Sequence, residues 1–249
     1  MGLDMSKMKA KWDKFKNGGV SNNSRTWKPE EGEQTIRIVP TQDGDPFRDF
    51  YFHYGVGKEP GFLSPKKNFG EADPLDDFVR SLYNEGTDEA KDMARQIRAK
   101  QRFFCPVIVR GEEDKGVRIW GFGKTVYETI FSLIMNEDYG DITDVSTGTD
   151  LVLKYEKPSG KGSYPVTKLT PKRFPSPLAE TPEQVASLLE SVPDMDGMFE
   201  RKTPEQVQTI LDQFLLGDGN AEDFSSEVTR GGGDSSDNSV DKAFKDLLG

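Results

Sequence analysis

The chain has 249 residues, 31% charged and 34% apolar, enough for one sizeable core plus segments too polar to pack. No apolar run could cross a membrane, and the lysine-bearing N-terminus lacks the apolar stretch of a signal peptide. The single cysteine, Cys105, excludes an internal disulfide and suits a reducing cytoplasm, and one His with one Cys cannot supply the four N/S ligands of a structural zinc.

The net charge of −10 hides a strong segmentation. Residues 1–28 carry seven Lys/Arg, among them Lys7, Lys9 and Lys11, against two acids, which predicts a basic, flexible N-terminal arm. The core is expected over 29–178. Thr35–Val39 alternates Ile36 and Ile38 around Arg37, a strand ended by Pro40, and the aromatic-rich Phe47–Val56 reads as a second strand. Asp73 and Pro74 form an N-cap and first helical residue. They open a helix with Leu75, Phe78, Val79 and Leu82 on one face, which stops near Gly86. Thr87 caps a second helix, with acids in its first turn and Arg95, Arg98 and Lys100 towards its end.

Phe103–Arg110 and Val117–Phe122 read as a hairpin, Lys124–Met135 as a helix and Leu151–Tyr155 as a strand. Pro165–Pro177 holds four prolines and is not helical. Short strands interrupted by helices predict an α+β chain whose core is a Greek-key barrel of the OB type with inserted helices. Beyond it, the pentapeptide Thr-Pro-Glu-Gln-Val occurs at 181–185 and again at 203–207, each a capping box, so two short helices extend the core over 179–216. Residues 217–249, with eight acids against three bases, read as a disordered acidic tail. It ends in Phe244, Leu247 and Leu248, apolar points suited to docking on partner proteins.

Three enzymatic readings fail on their residues. Gly121-Phe-Gly-Lys-Thr125 sits where a phosphate-binding loop would, but the pattern needs glycine where Arg118 stands. His53 has no second His or Cys beside it and reads as a strand histidine. Asp73, Asp76 and Asp77, which could suggest a magnesium-dependent nuclease, open a helix where acids complement its dipole. No catalytic residue and no cofactor is expected.

A different pattern carries more. Arg98, Lys100, Arg102, Phe103 and Phe104, then Arg118, Trp120 and Lys124, join cations to flat rings on adjacent predicted strands. Single-strand binders need both: cations track phosphates and release counterions, and rings stack on any base. On alternation Trp120 and Phe122 share one face while Phe103 and Phe104 oppose each other, so some of these rings belong to the core. An acidic interaction or assembly factor without DNA binding is the alternative that the residues leave open.

Val117–Ile134, VRIWGFGKTVYETIFSLI, resembles the single-stranded DNA-binding (helix-destabilising) protein of T-even-type bacteriophages, and the resemblance extends from about Gln34 through Tyr164. The basic arm, core and acidic tail ending in Asp246-Leu247-Leu248 follow the same plan. The resemblance implies an OB-fold core that coats single strands cooperatively during replication, recombination and repair in the cytoplasm of the infected host. It also implies self-association through the arm and partner proteins met through the tail. It places Phe103 and Trp120 at DNA-facing aromatic positions with Phe104 beside them, matches Tyr164 to another, and puts Arg98–Arg102 among the cationic contacts. The family's best-known members hold a zinc with one His and three Cys around the segment matching Tyr54–Phe78. Here the Cys-Pro-x-Cys part reads Asp73-Pro-Leu-Asp76, which implies metal-free packing. The short Lys/Arg-Ser-Thr motif of the family's N-terminus is only echoed, in Ser6-Lys7-Met8-Lys9.

Overall fold

The computed structural model describes residues 25–57, 60–158 and 164–216. Lys7, Lys9 and Lys11 of the arm, and Phe244, Leu247 and Leu248 of the tail, lie outside the described residues. Within them the chain runs β1 (Thr26–Trp27), β2 (Gly32–Ile38), β3 (Arg48–Tyr54), β4 (Gly61–Leu63), α1 (Pro65–Phe69), α2 (Pro74–Glu85) and α3 (Asp88–Ile97). It continues with β5 (Lys100–Val109), β6 (Arg118–Phe122), α4 (Lys124–Ile134), β7 (Leu151–Glu156), β8 (Val166–Pro171), α5 (Pro182–Glu190) and α6 (Pro204–Leu215).

The architecture is mixed α+β around one eight-stranded sheet in the order β1-β6-β5-β2-β7-β8, with β3 branching from β5 and β4 from β3. Strand β5 organises it. Along one edge Phe103–Val107 pair with β6; along the other, Lys100–Phe104 pair with β3 and Val107–Val109 with β2. Among the described residues only β1 and β6 run parallel.

Alternation along β5 separates two cores. Phe103, Cys105, Val107 and Val109 join Ile36, Ile38, Trp120, Phe122, Leu151 and Leu153 on the inner face, closed by Val126 and Ile130 of α4. Phe104 points the other way, into a cluster with Phe52, Tyr54 and Ile119. Met195, Met198 and Phe199, from the connection between α5 and α6, cover that cluster.

The helices start and stop for local reasons. The Asp73 carboxylate accepts from the N–H groups of Leu75 and Asp76, Pro74 follows it, and Gly86 closes α2 with φ +81°. Thr87 caps α3, which buries Ala90, Ala94 and Ile97 against α2. Both Thr-Pro-Glu-Gln-Val repeats form complete capping boxes, but their helices go to different places. Helix α5 packs Val185, Leu188 and Leu189 near Val39, Ile108 and Leu178; α6 packs Val207 and Leu211 onto the α2–α3 pair. Residues 179–216 therefore bind the sheet and the helical insertion together. The proline-rich stretch, whose only expectation was that it is not helical, contributes β8, paired along its length with β7.

Candidate nucleic-acid interface

The turn between β6 and α4 gathers one group of the expected residues. Phe103 pairs with Phe122 across β5 and β6, so Arg102 lies level with Gly123. A Cβ built on Gly123 would stand 3.2 Å from Arg102 Nη1, so glycine leaves room for the guanidinium beside the start of the helix; at 8% exposed Arg102 is buried there, which corrects the expectation of a phosphate contact at this residue. Lys124 follows as the first residue of α4, exposed and 3.5 Å from Glu128 one turn on. Arg98 is exposed at the end of α3, and Lys100 is half-buried at the start of β5.

From this turn a column of rings leads outward. Phe122 and Phe103 stack at 6.4 Å, Phe103 and Tyr127 at 4.0 Å with planes 8° apart, and Tyr127 and Phe131 at 6.0 Å. Phe47 meets Tyr127 edge-on at 5.6 Å. The column begins in the inner core and ends at Phe131, which is 48% exposed. Lys124, Tyr127 and Phe131 are spaced i, i+3, i+7, which puts the open ring and the cation on one helix face. The readable signal for Tyr127 and Phe131 was that spacing; the pattern of cations and rings was followed along the strands and ended at Lys124, the first residue of the helix.

The other expected contacts are placed differently. Trp120, 1% exposed, packs edge-on to Trp27 at 5.9 Å and against Phe122 at 4.4 Å. Phe104 is buried among Phe50, Phe52 and Phe199. This corrects the expectation of stacking for both rings: neither offers a face to a base here, because β5 and β6 are covered on both sides. Phe103 is also buried and reaches the surface only through Tyr127 and Phe131. Arg118, 8% exposed, is held 2.6 Å from Glu112, whose carboxyl this hydrogen bond and that of Lys115 keep below its ordinary pKa. Its charge is engaged within the β5–β6 hairpin. Tyr164 is half-buried just before β8.

The segment matching the family's zinc module holds a hydrogen-bond network instead. His53, Ser64 and Asp73 are all buried. His53 Nδ1 lies 2.8 Å from the Ile97 carbonyl and Nε2 lies 3.1 Å from Asp73 Oδ2, which also accepts from Ser64 Oγ at 2.5 Å. Both ring nitrogens are engaged inside the protein, one by a backbone carbonyl and one by a carboxylate, so neither is turned towards a place where a metal could sit. Cys105 is buried in the inner core opposite Trp120, where desolvation pushes its thiol far above the usual range. Among the described residues no three His, Cys, Asp or Glu side chains are grouped to hold a metal ion. The donors present do not fit the family's zinc.

A mixed α+β sheet that brings lysine and arginine side chains beside an emerging column of rings has the two parts that a nucleic-acid-binding class of protein needs. Residues 30–215 match the family model described as gp32 DNA binding protein like. The chain belongs to that family, and it is a DNA-binding protein; the resemblance at Val117–Ile134 to the T-even phage single-strand binder lies inside the match. No curated protein matches the chain. Among the described residues no helix is long and apolar enough to cross a membrane.

Proposed function

We propose that this protein coats and protects single-stranded DNA without catalysing a reaction, acting in phage DNA replication, recombination and repair in the cytoplasm of the infected host. The observation that carries the reading is the ring column opening at Phe131 beside Lys124, in a chain of a DNA-binding family. Bases stack on the open end of the column, and Lys124, Lys100 and Arg98 follow the phosphates. Stacking on rings tolerates any base, which is what a coating protein requires. The branched, mostly antiparallel sheet with α4 packed across its inner face supports a barrel of the OB type.

On this reading the basic arm with Lys7, Lys9 and Lys11 contacts the neighbouring copy along the strand, which makes coating cooperative. The acidic tail meets replication and recombination proteins through Phe244, Leu247 and Leu248. The test is a fluorescence titration with poly(dT) at several salt concentrations. Binding that weakens linearly in log–log form as salt rises supports the proposal, through counterion release. Absence of binding at low salt overturns it.

A further inference from the structure

Immediately after β8 the chain makes a short excursion, Lys172 to Ser176, whose two ends are fixed to the body of the protein. The Lys172 N–H donates to the Asp150 carbonyl at 2.9 Å, and the Ser176 N–H donates to the Gly148 carbonyl at 3.0 Å. Behind these bonds lies a buried ionic centre. Arg37, fully buried, donates from Nε to Asp150 Oδ1 at 2.9 Å and from Nη2 to Ser176 Oγ at 2.8 Å and to the Ser176 carbonyl. Arg110 shares the Asp150 carboxylate at 3.0 Å and holds the carbonyls of Pro177 and Leu178 at 2.8 and 2.9 Å. Pro171, Pro175 and Pro177 remove further backbone freedom.

On this pinned excursion stands Phe174, 71% exposed, with the Arg173 guanidinium carbon 5.4 Å from its ring centre. A phenyl ring left in water forgoes the free energy of burial. A mobile loop could fold such a ring away, but one anchored at both ends holds it out. The neighbours are cationic. Lys168, Thr170 and Lys172 alternate outward from Leu169 and Pro171, and Lys168 lies directly opposite Lys154 across β7 and β8. Like charges in that position are unfavourable for the sheet; Glu156, 2.9 Å from Lys154, and Glu33, opposite Lys154 across β2 and β7, offset the Lys154 charge and leave Lys168 and Lys172 as the outward cations.

We propose that the Arg173–Phe174 tip is a second, preorganised contact for single-stranded DNA, separate in sequence from the ring column at Phe131. A base stacks on Phe174 beside the guanidinium, and adjacent phosphates meet Lys168 and Lys172. This rests on the single-strand reading above. Preorganisation matters because the loop's ordering is already complete before the strand arrives.

The experiment uses the full chain and a labelled oligo(dT), comparing wild type with Phe174→Ala, Phe174→Tyr and Lys172→Ala across a salt series. Phe174→Ala is expected to weaken binding about fivefold or more with an unchanged melting temperature, and Phe174→Tyr to restore it. Lys172→Ala is expected to lower the slope of log affinity against log salt by about 0.7. Wild-type affinity in Phe174→Ala, with wild-type slope in Lys172→Ala, overturns the proposal and leaves the single-strand reading standing. Failure of the wild type itself to bind overturns both.

Discussion

Phe103 and Tyr127 lie face to face, 4.0 Å between ring centres and 8° from parallel, so a strand ring sealed in the core and a helix ring at the surface form one column. The contact fixes the helix face that carries Lys124 and Phe131 relative to β5, which carries Lys100 and Arg102. The exposed ring of Phe131 is thus backed, through Tyr127, by a ring buried in the core.

Phe131 is the open end of that column, and its removal separates binding from folding. Phe131→Ala is expected to weaken oligonucleotide binding about fivefold or more, a stacked base contributing roughly 1–3 kcal/mol. Its exposure means the fold loses little. Fluorescence titration and thermal melting on the same samples check this. Equal affinity with equal stability would remove the column from the binding surface.

Trp120 predicts the opposite split. It is the largest fully buried side chain, packed on Trp27 and Phe122. Trp120→Ala leaves a cavity in the inner core and is expected to lower unfolding free energy by about 3–5 kcal/mol. Urea denaturation measures it. A loss of DNA affinity with full stability would mean that the indole is reached by the ligand after all.

The contrast between these two residues shows what could be read from the sequence. Periodicity located most of the long elements, and the caps at Asp73, Thr87, Thr181 and Thr203 formed as their local chemistry dictates. Alternation rightly put Phe103 and Phe104 on opposite faces of β5. It could not tell that both faces are covered, because the cover comes from residues far along the chain, Met195 to Phe199 on one side and α4 on the other. The parallel pairing of β1 with β6 was illegible for the same reason. Phe174 was passed over because exposure at an anchored loop depends on Arg37 and Arg110, residues more than sixty positions away.

The network at His53 predicts metal independence. Elemental analysis of the purified protein is expected to find no stoichiometric zinc, and a chelator is expected to leave melting and DNA binding unaltered. One zinc per chain, or a fall in melting temperature on chelation, would show that ligands outside this network hold a metal.

The last prediction concerns acid. Asp73 is buried, and burial alone would raise its pKa. The hydrogen bond and electrostatic attraction of His53, the Ser64 hydroxyl and the Asp76 N–H outweigh burial and bring the carboxyl down to about 2. A group whose folded pKa is depressed contributes stability above its unfolded value and loses it as pH falls through the folded one. Asp73 therefore supports the fold fully above about pH 4 to 5, and its contribution, on the order of 2 kcal/mol, disappears as pH approaches 2. Asp73→Asn keeps the size of the cap but cannot change charge. The variant is expected to be less stable than wild type at pH 7, and the gap is expected to narrow steadily between pH 4 and pH 2. Urea denaturation of both proteins at intervals from pH 2.5 to 7 measures the gap directly. A difference that stays constant across that range would mean that the carboxylate holds His53 and the start of α2 no better than a neutral amide does.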